Sequence, residues 1–92
     1  MLSDPENLEY LKLHSLVDFS SKLVLEIGSG DGRLTELYHD VAQSIVGIDL
    51  DFDDLQIAQE DALDNVNLLM ANAFILPVRI NTMDVVLFAR AL

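Results

Sequence analysis

The sequence contains no cysteine, so neither a disulfide nor a thiolate-bound metal is open to it. It carries only five basic residues against sixteen acidic ones, a formal net charge of −11 at pH 7. A surface of that sign repels phosphate backbones and anionic headgroups. This argues against nucleic-acid binding through a basic patch and against adsorption to acidic membranes. No apolar run approaches the length of a transmembrane helix. The opening stretch, MLSDPENLEY, is too polar and acidic for a signal or transit peptide. Histidine occurs only at His14 and His39, far apart and expected on helix surfaces rather than on a metal. These absences predict a soluble, cytoplasmic protein with no metal site.

What is present is apolar and ordered. Half of the 92 residues are hydrophobic, enough for a folded core and too many for a disordered chain. The length suits one small domain, which buries roughly 60–65% of its extended surface and has a thin stability margin. Asp4-Pro5-Glu6 reads as a helix start, with Leu8, Leu11, Leu13, Leu16 and Val17 as an untidy stripe behind it. Asp18 to Lys22 reads as a loop. Leu23–Ile27 is a near-continuous apolar strand of the kind buried on both faces. Gly28, Gly30 and Gly32 come next at alternate positions, and Leu34, Leu37 and Val41 then predict a helix to about Val41 or Ala42. A second strand spans Ser44–Leu50. Asp51 and Asp54 resemble a capping box opening a helix that ends near Leu63. Val66–Ala71 is a third strand, Pro77 limits the segment after it to a loop or short turn, and Met83–Ala89 is a fourth strand. This alternation predicts a parallel, doubly wound α/β sheet.

Open parallel sheets bind ligands beyond the carboxyl ends of their strands, so the informative residues stand just after each strand. They are Gly28 to Gly32, Asp49, Asn72 with Ala73, and Phe88 to Arg90. The glycine loop, with a helix start behind it, reads as a run of backbone N–H groups suited to an anionic or polar ligand. Asp49 lies 21 positions after Gly28, a spacing at which an acid accepts hydrogen bonds from ribose hydroxyls. The glycines do not form a dinucleotide fingerprint, because Arg33 stands where its third glycine would be. Glu26, two residues before Gly28, would sit badly beside a pyrophosphate but could pair with an ammonium. Asp51, Asp53 and Asp54 are read as a solvated helix start. A calcium loop is disfavoured because Asp54 occupies the place that requires glycine. Tyr10 and His14 are read as packing or surface residues.

With these residues in view, the chain resembles the class I S-adenosylmethionine-dependent methyltransferases. Their main motif, acid-x-G-x-G-x-G, corresponds to Glu26-Ile27-Gly28-Ser29-Gly30-Asp31-Gly32. Their acid after the second strand corresponds to Asp49, with Leu50 as the apolar neighbour of adenine. Asn72-Ala73 leading to Leu76-Pro77 takes the place of an acid–small pair followed by Leu-Pro, and Met83-Asp84-Val85-Val86 resembles F-D-V-V. The resemblance implies S-adenosyl-L-methionine as cofactor. Glu26 would meet its amino group, Gly28, Ser29, Gly30 and Gly32 its methionine part, Asp49 its ribose, and Leu50, Asn72 and Ala73 its adenine, with Phe88 as a wall. The N-P-P-Y signature of amino methylation is absent; Ala89-Arg90-Ala91 stands there.

A full domain of that family has about seven strands and needs on the order of 150 residues. Residues 1–92 are therefore expected to form a single truncated domain. Residues 1–22 would be an N-terminal helix and loop, and 23–92 the cofactor-binding half with about four strands. No catalytic base stands out, and the methyl acceptor is not legible. Two alternatives accompany the methyltransferase: a non-catalytic S-adenosylmethionine-binding or interaction module, and a nicotinamide-dinucleotide-binding protein, disfavoured by Glu26 and Arg33. In the family's strand order the fourth strand becomes an unguarded apolar edge here, which predicts a homodimer through Met83–Leu92.

Overall fold

The computed structural model describes residues 5–61, 64–72, 74–76 and 78–89, with the backbone alone at 5–7. Ala73, Pro77 and Arg90–Leu92 lie outside the described residues. Four strands form one sheet: β1 (Leu23–Ile27), β2 (Ser44–Asp49), β3 (Val66–Met70) and β4 (Val85–Phe88). The order is β3-β2-β1-β4 and every pairing is parallel. The first three strands step one way across the sheet. The chain then returns to the far side of β1, so the switch point lies between β1 and β4.

The apolar runs explain this arrangement. β1 is buried from Val24 to Ile27, as expected of a central parallel strand. Its alternation sends Val24 toward one face, where Phe19, Tyr38, Ala42 and Ile45 form a core with Leu13, Val17 and Val85 around it. Leu25 and Ile27 meet Ile48 on the other face, covered by Ala71, Leu76, Val78 and Met83 from the β3–β4 connection. Each such large side chain contributes about 1.5–3 kcal/mol by leaving water. Strand ends differ slightly from expectation. β2 stops at Asp49, β3 at Met70, and β4 begins at Val85.

α1 (Pro5–Leu16) forms where Pro5 suggests it. Its inner face, however, is not the leucine stripe. Leu8, Leu11 and Leu16 are exposed, whereas Leu13 and Val17 pack on the core. The residues turned inward are Leu13 and the half-buried His14, followed by Val17 just past the helix end, while Tyr10 is exposed and lies against His14. Tyr10 and His14 lie ring on ring at 4.2 Å, His14 meets Phe19 edge-on at 5.6 Å, and Phe19 stacks on Tyr38 at 4.3 Å. His14 is thus half-buried, not a surface residue. Its Nε2 lies 2.7 Å from the Leu37 carbonyl, which only accepts, so that nitrogen carries the proton.

The helix expected from the glycine loop to Ala42 is replaced by turns around a single 3₁₀ turn, Thr35–Leu37. The Thr35 carbonyl accepts from both Tyr38 and His39, and Tyr38 leaves helical geometry at φ −140°. Thr35 and Tyr38 both turn their hydroxyls inward to Glu26. Neither residue is a strong helix former, and the buried contacts override the leucine spacing.

α2 (Phe52–Asp61) starts as the capping pattern predicts, with the Asp54 amide donating to Asp51 Oδ1 at 3.1 Å. Its expected last residues, 62–63, lie outside those described. A second 3₁₀ turn, Ile80–Thr82, is the short turn expected after Pro77. Among the described residues no helix is long and apolar enough to cross a membrane.

Candidate functional site at the strand ends

Gly28, Gly30 and Gly32 all have positive φ, at 77°, 56° and 89°. Side chains rarely adopt that conformation, so the loop depends on glycine for its shape. The loop is anchored from beneath. The Gly28 and Ser29 amides both donate to the Ile48 carbonyl, at 2.7 and 3.1 Å. Gly30 N donates to Asp49 Oδ2 at 2.8 Å, and Asp49 Oδ1 accepts from Asp51 N at 2.8 Å. Asp49 therefore joins the glycine loop to the start of α2. A carboxylate has about four acceptor positions, so two remain for a ligand.

This geometry corrects the expectation that the loop offers a run of free N–H groups. Besides Gly28, Ser29 and Gly30, the Gly32 amide donates to Ser29 O and the Arg33 amide to Asp31 Oδ1. No α-helix begins behind the loop, so no helix dipole reinforces it. The loop presents close-approach backbone rather than an anion cradle, which further disfavours a pyrophosphate.

A cavity of about 360 Å³ opens at the carboxyl ends of β1 and β4. Gly28, Ser29, Leu34, Leu37 and Ala89 line it. Glu9 of α1, Asp31 and Arg33 stand around it. Arg33 Nη2 and Glu9 Oε1 form an ion pair at 2.9 Å, with side chains 66% and 50% exposed. A volume of a few hundred Å³ suits part or all of a small ligand.

The other candidate residues divide by position. Leu50 and Phe88 are exposed at the ends of β2 and β4, and Phe88 pairs in register with Ile27. Asn72 is exposed, and its side-chain oxygen already accepts from Phe74 N at 2.8 Å, closing a local turn. Gly32 faces α2. A Cβ there would meet Ala58 Cβ at 3.4 Å, and both residues help line a small cleft of about 50 Å³. Ser29 Oγ is buried without a hydrogen-bond partner and packs toward Gly47.

Glu26 does not reach the cavity surface. It is fully buried, with Oε1 accepting from Thr35 Oγ1 at 2.9 Å and from Tyr38 Oη. Oε2 has no partner. Burial pushes its pKa above the ordinary glutamate value, against the lowering effect of the two hydroxyls. The Tyr38 hydroxyl is held far above its ordinary pKa, first by burial and then by the Glu26 charge. Sequence pattern does not single out Tyr38 and Thr35. Their only signal is two hydroxyl-bearing residues at i and i+3 after the loop.

Gly47 escapes the pattern as well. Its conformation is ordinary, but a Cβ would lie 2.9 Å from Leu68 Cδ2 and 3.0 Å from Ser29 Oγ. It makes room for the loop, and a glycine inside an apolar strand is the available hint. Among the described residues no group of three or more His, Cys, Asp or Glu could hold a metal ion.

A family model described as a methyltransferase domain matches residues 24–92. Several solved structures share the fold. The YcgJ protein of Bacillus subtilis is 21% identical, with a TM-score of 0.75, over 87% of this chain and 36% of that one. Phosphoethanolamine N-methyltransferase 1 of Haemonchus contortus, solved with phosphoethanolamine and S-adenosylhomocysteine, is 23% identical. Its TM-score is 0.77, over 88% of this chain and 18% of that one. A chain from Listeria monocytogenes described as an S-adenosylmethionine-dependent methyltransferase is 26% identical, with a TM-score of 0.72, over 88% and 38%. The present chain thus spans well under half the length of each. No curated protein matches it.

Proposed function

The chain belongs to the methyltransferase-domain family, and from that premise we propose that it is the S-adenosylmethionine-binding portion of a methyltransferase. The observation that carries this is the Asp49 carboxylate at the end of β2, tied to Gly30 N of the loop whose Gly28, Ser29 and Asp31 line the cavity. When bound, the cofactor supplies a methyl group made electrophilic by its sulfonium. Asp49 keeps acceptor capacity for ribose hydroxyls. Gly28, Ser29 and Gly30 let the methionine part approach the backbone, and Leu50, Asn72 and Ala73 receive the adenine, with Phe88 beside them. Gly32 supports the loop against α2. Glu26 serves from beneath, where the unpartnered Oε2 suits an ammonium or a water leading to one. Alignment of methyl and acceptor accounts for much of such a transfer, so a general base is not required of this portion.

Calorimetry with S-adenosylhomocysteine tests the reading. Binding by folded protein is expected; no heat at millimolar ligand overturns it. Competition with a nicotinamide dinucleotide separates the disfavoured alternative.

The share of the relatives' length that this chain spans favours a second reading, a module that binds the cofactor without transfer. Turnover of labelled cofactor that depends on Gly30 selects the enzyme; binding without labelled product selects the module. Residues 1–92 act in either case as one domain around one sheet. The cytoplasm is its proposed compartment. A homodimer is proposed through β4, which pairs with β1 on one side and with no described strand on the other.

A further inference from the structure

We propose that Arg33 receives the carboxylate at the amino-acid end of the cofactor, and that Glu9 occupies Arg33 until the cofactor arrives. The proposal rests on the S-adenosylmethionine reading.

A carboxylate entering this cavity needs donors. The usual source, a glycine loop, is nearly spent: the amides of Gly28, Ser29, Gly30, Gly32 and Arg33 all have acceptors within the chain, which leaves the Asp31 amide, on a residue that is itself acidic. Arg33 is the one cation among the described residues lining the cavity, where Glu9 and Asp31 are both acidic. Unless Arg33 meets the ligand's carboxylate, that group enters a pocket with an excess of negative charge in a chain of net charge −11. The guanidinium is also the side chain best matched to a carboxylate, through two parallel N–H donors.

Glu9 explains how the site can wait. Its contact with Arg33 uses Nη2 and Oε1 alone, at 2.9 Å, between side chains at least half exposed. Exposed pairs of this kind are weak, so exchanging one carboxylate for another is easy. The Arg33 backbone is held by Asp31 Oδ1 at 3.2 Å, so the side chain can change partner without moving the loop. Glu9 then becomes a competitor of the ligand on the rim of its own cavity.

The test uses two probes on the whole chain, S-adenosylhomocysteine and methylthioadenosine, which lacks the amino-acid end. Calorimetry compares wild type with Arg33→Met and Glu9→Gln, after thermal melts show both variants folded. Arg33→Met is expected to weaken S-adenosylhomocysteine about tenfold or more, as a charge-assisted contact is lost, and to leave methylthioadenosine unchanged. Glu9→Gln is expected to strengthen S-adenosylhomocysteine. The methyl ester of S-adenosylhomocysteine, tested on wild type, should bind as weakly as the free acid binds to Arg33→Met. A purely structural ion pair would make both variants change both probes in the same direction, and that result overturns the proposal. Equal loss of both probes in Arg33→Met does so too. If wild type binds neither probe, the S-adenosylmethionine reading falls and this one with it. If it binds both and the variants leave their ratio unchanged, only this one falls.

Discussion

Tyr38 donates its hydroxyl proton to Glu26 Oε1 in the interior, where neither side chain reaches solvent. That contact fixes the acid of the glycine motif one layer below the cavity and draws Tyr38 out of helical geometry. Tyr38→Phe should remove a buried hydrogen bond to a carboxyl and cost about 1–3 kcal/mol in chemical denaturation. An unchanged midpoint would mean that Thr35 alone holds Glu26.

The pH dependence of stability has a definite sign at Glu26. Its folded pKa lies above the ordinary value of 4.5, so the folded state binds the proton more tightly than the unfolded chain does. The stability associated with this proton is full below that ordinary value and is lost as pH rises toward and through the folded value. Glu26→Gln keeps an acceptor for Thr35 and Tyr38 but does not ionise. Stability of wild type relative to this variant should therefore fall as pH rises from 4.5, in denaturant titrations on both proteins. A difference that grows in favour of wild type would assign Glu26 a native partner for its charge.

Asp49→Ala should weaken S-adenosylhomocysteine by about 1–3 kcal/mol through loss of its charged, partly buried acceptors. It should also loosen Gly30, whose amide it holds. Asp49→Asn keeps one carbonyl oxygen and should fall between. Calorimetry on both variants checks the order, and unchanged affinity in Asp49→Ala would remove it from the site.

Gly47→Ala places a methyl group against Leu68 and Ser29. Crowding of this kind typically costs about 1–3 kcal/mol, and here its displacement runs into the glycine loop. Thermal melts should show the loss. Ligand affinity should fall as well, although Gly47 touches no ligand; full affinity in a destabilised variant would show that Leu68 alone yields.

The homodimer should strengthen with salt, because screening shortens the reach of the −11 net charge. Light scattering at two ionic strengths checks this, and a monomer at both overturns it. Val86 is a poor site for a mutational test, since it packs against the core of Leu25, Ile27 and Ile48. Phe88 is 63% exposed at the end of β4, so Phe88→Lys should dissociate the pair without opening the core.

The strands are legible because Leu23–Ile27 and Ser44–Asp49 are apolar runs with glycine or acid at their ends, and pattern alone places them within a residue or two. Asp49 is legible because its distance from Gly28 is set by one crossover. The segment after Gly32 is not. Leu34, Leu37 and Val41 carry a helical period, but Thr35 and Tyr38 are governed by a carboxylate nine and twelve residues earlier, which no local pattern records. Leucine is an unreliable marker for the inner face of α1: Leu8, Leu11 and Leu16 are exposed, and Leu13 and His14 turn inward. The loop amides look free in the sequence because their acceptors, Ile48 and Asp49, come from another strand.

The strand order also dictates a history for the chain. β1 meets β2 across 21 residues, from Leu23 to Ser44, whereas it meets β4 across 61, from Leu23 to Asp84. Closing the longer loop costs about 1 kcal/mol more in chain entropy. β4 is also the last of the four described strands to be synthesised, and among them only β1 holds it. Its start is fastened by a reciprocal clasp: Leu23 N donates to Asp84 Oδ2, and Asp84 N to Leu23 O, both at 2.8 Å. The longer closure predicts that β4 docks after β1 and β2 have paired. Its amides should trade hydrogen for deuterium while those of β1 are still protected, and the cavity wall at Ala89 would come and go on that clock.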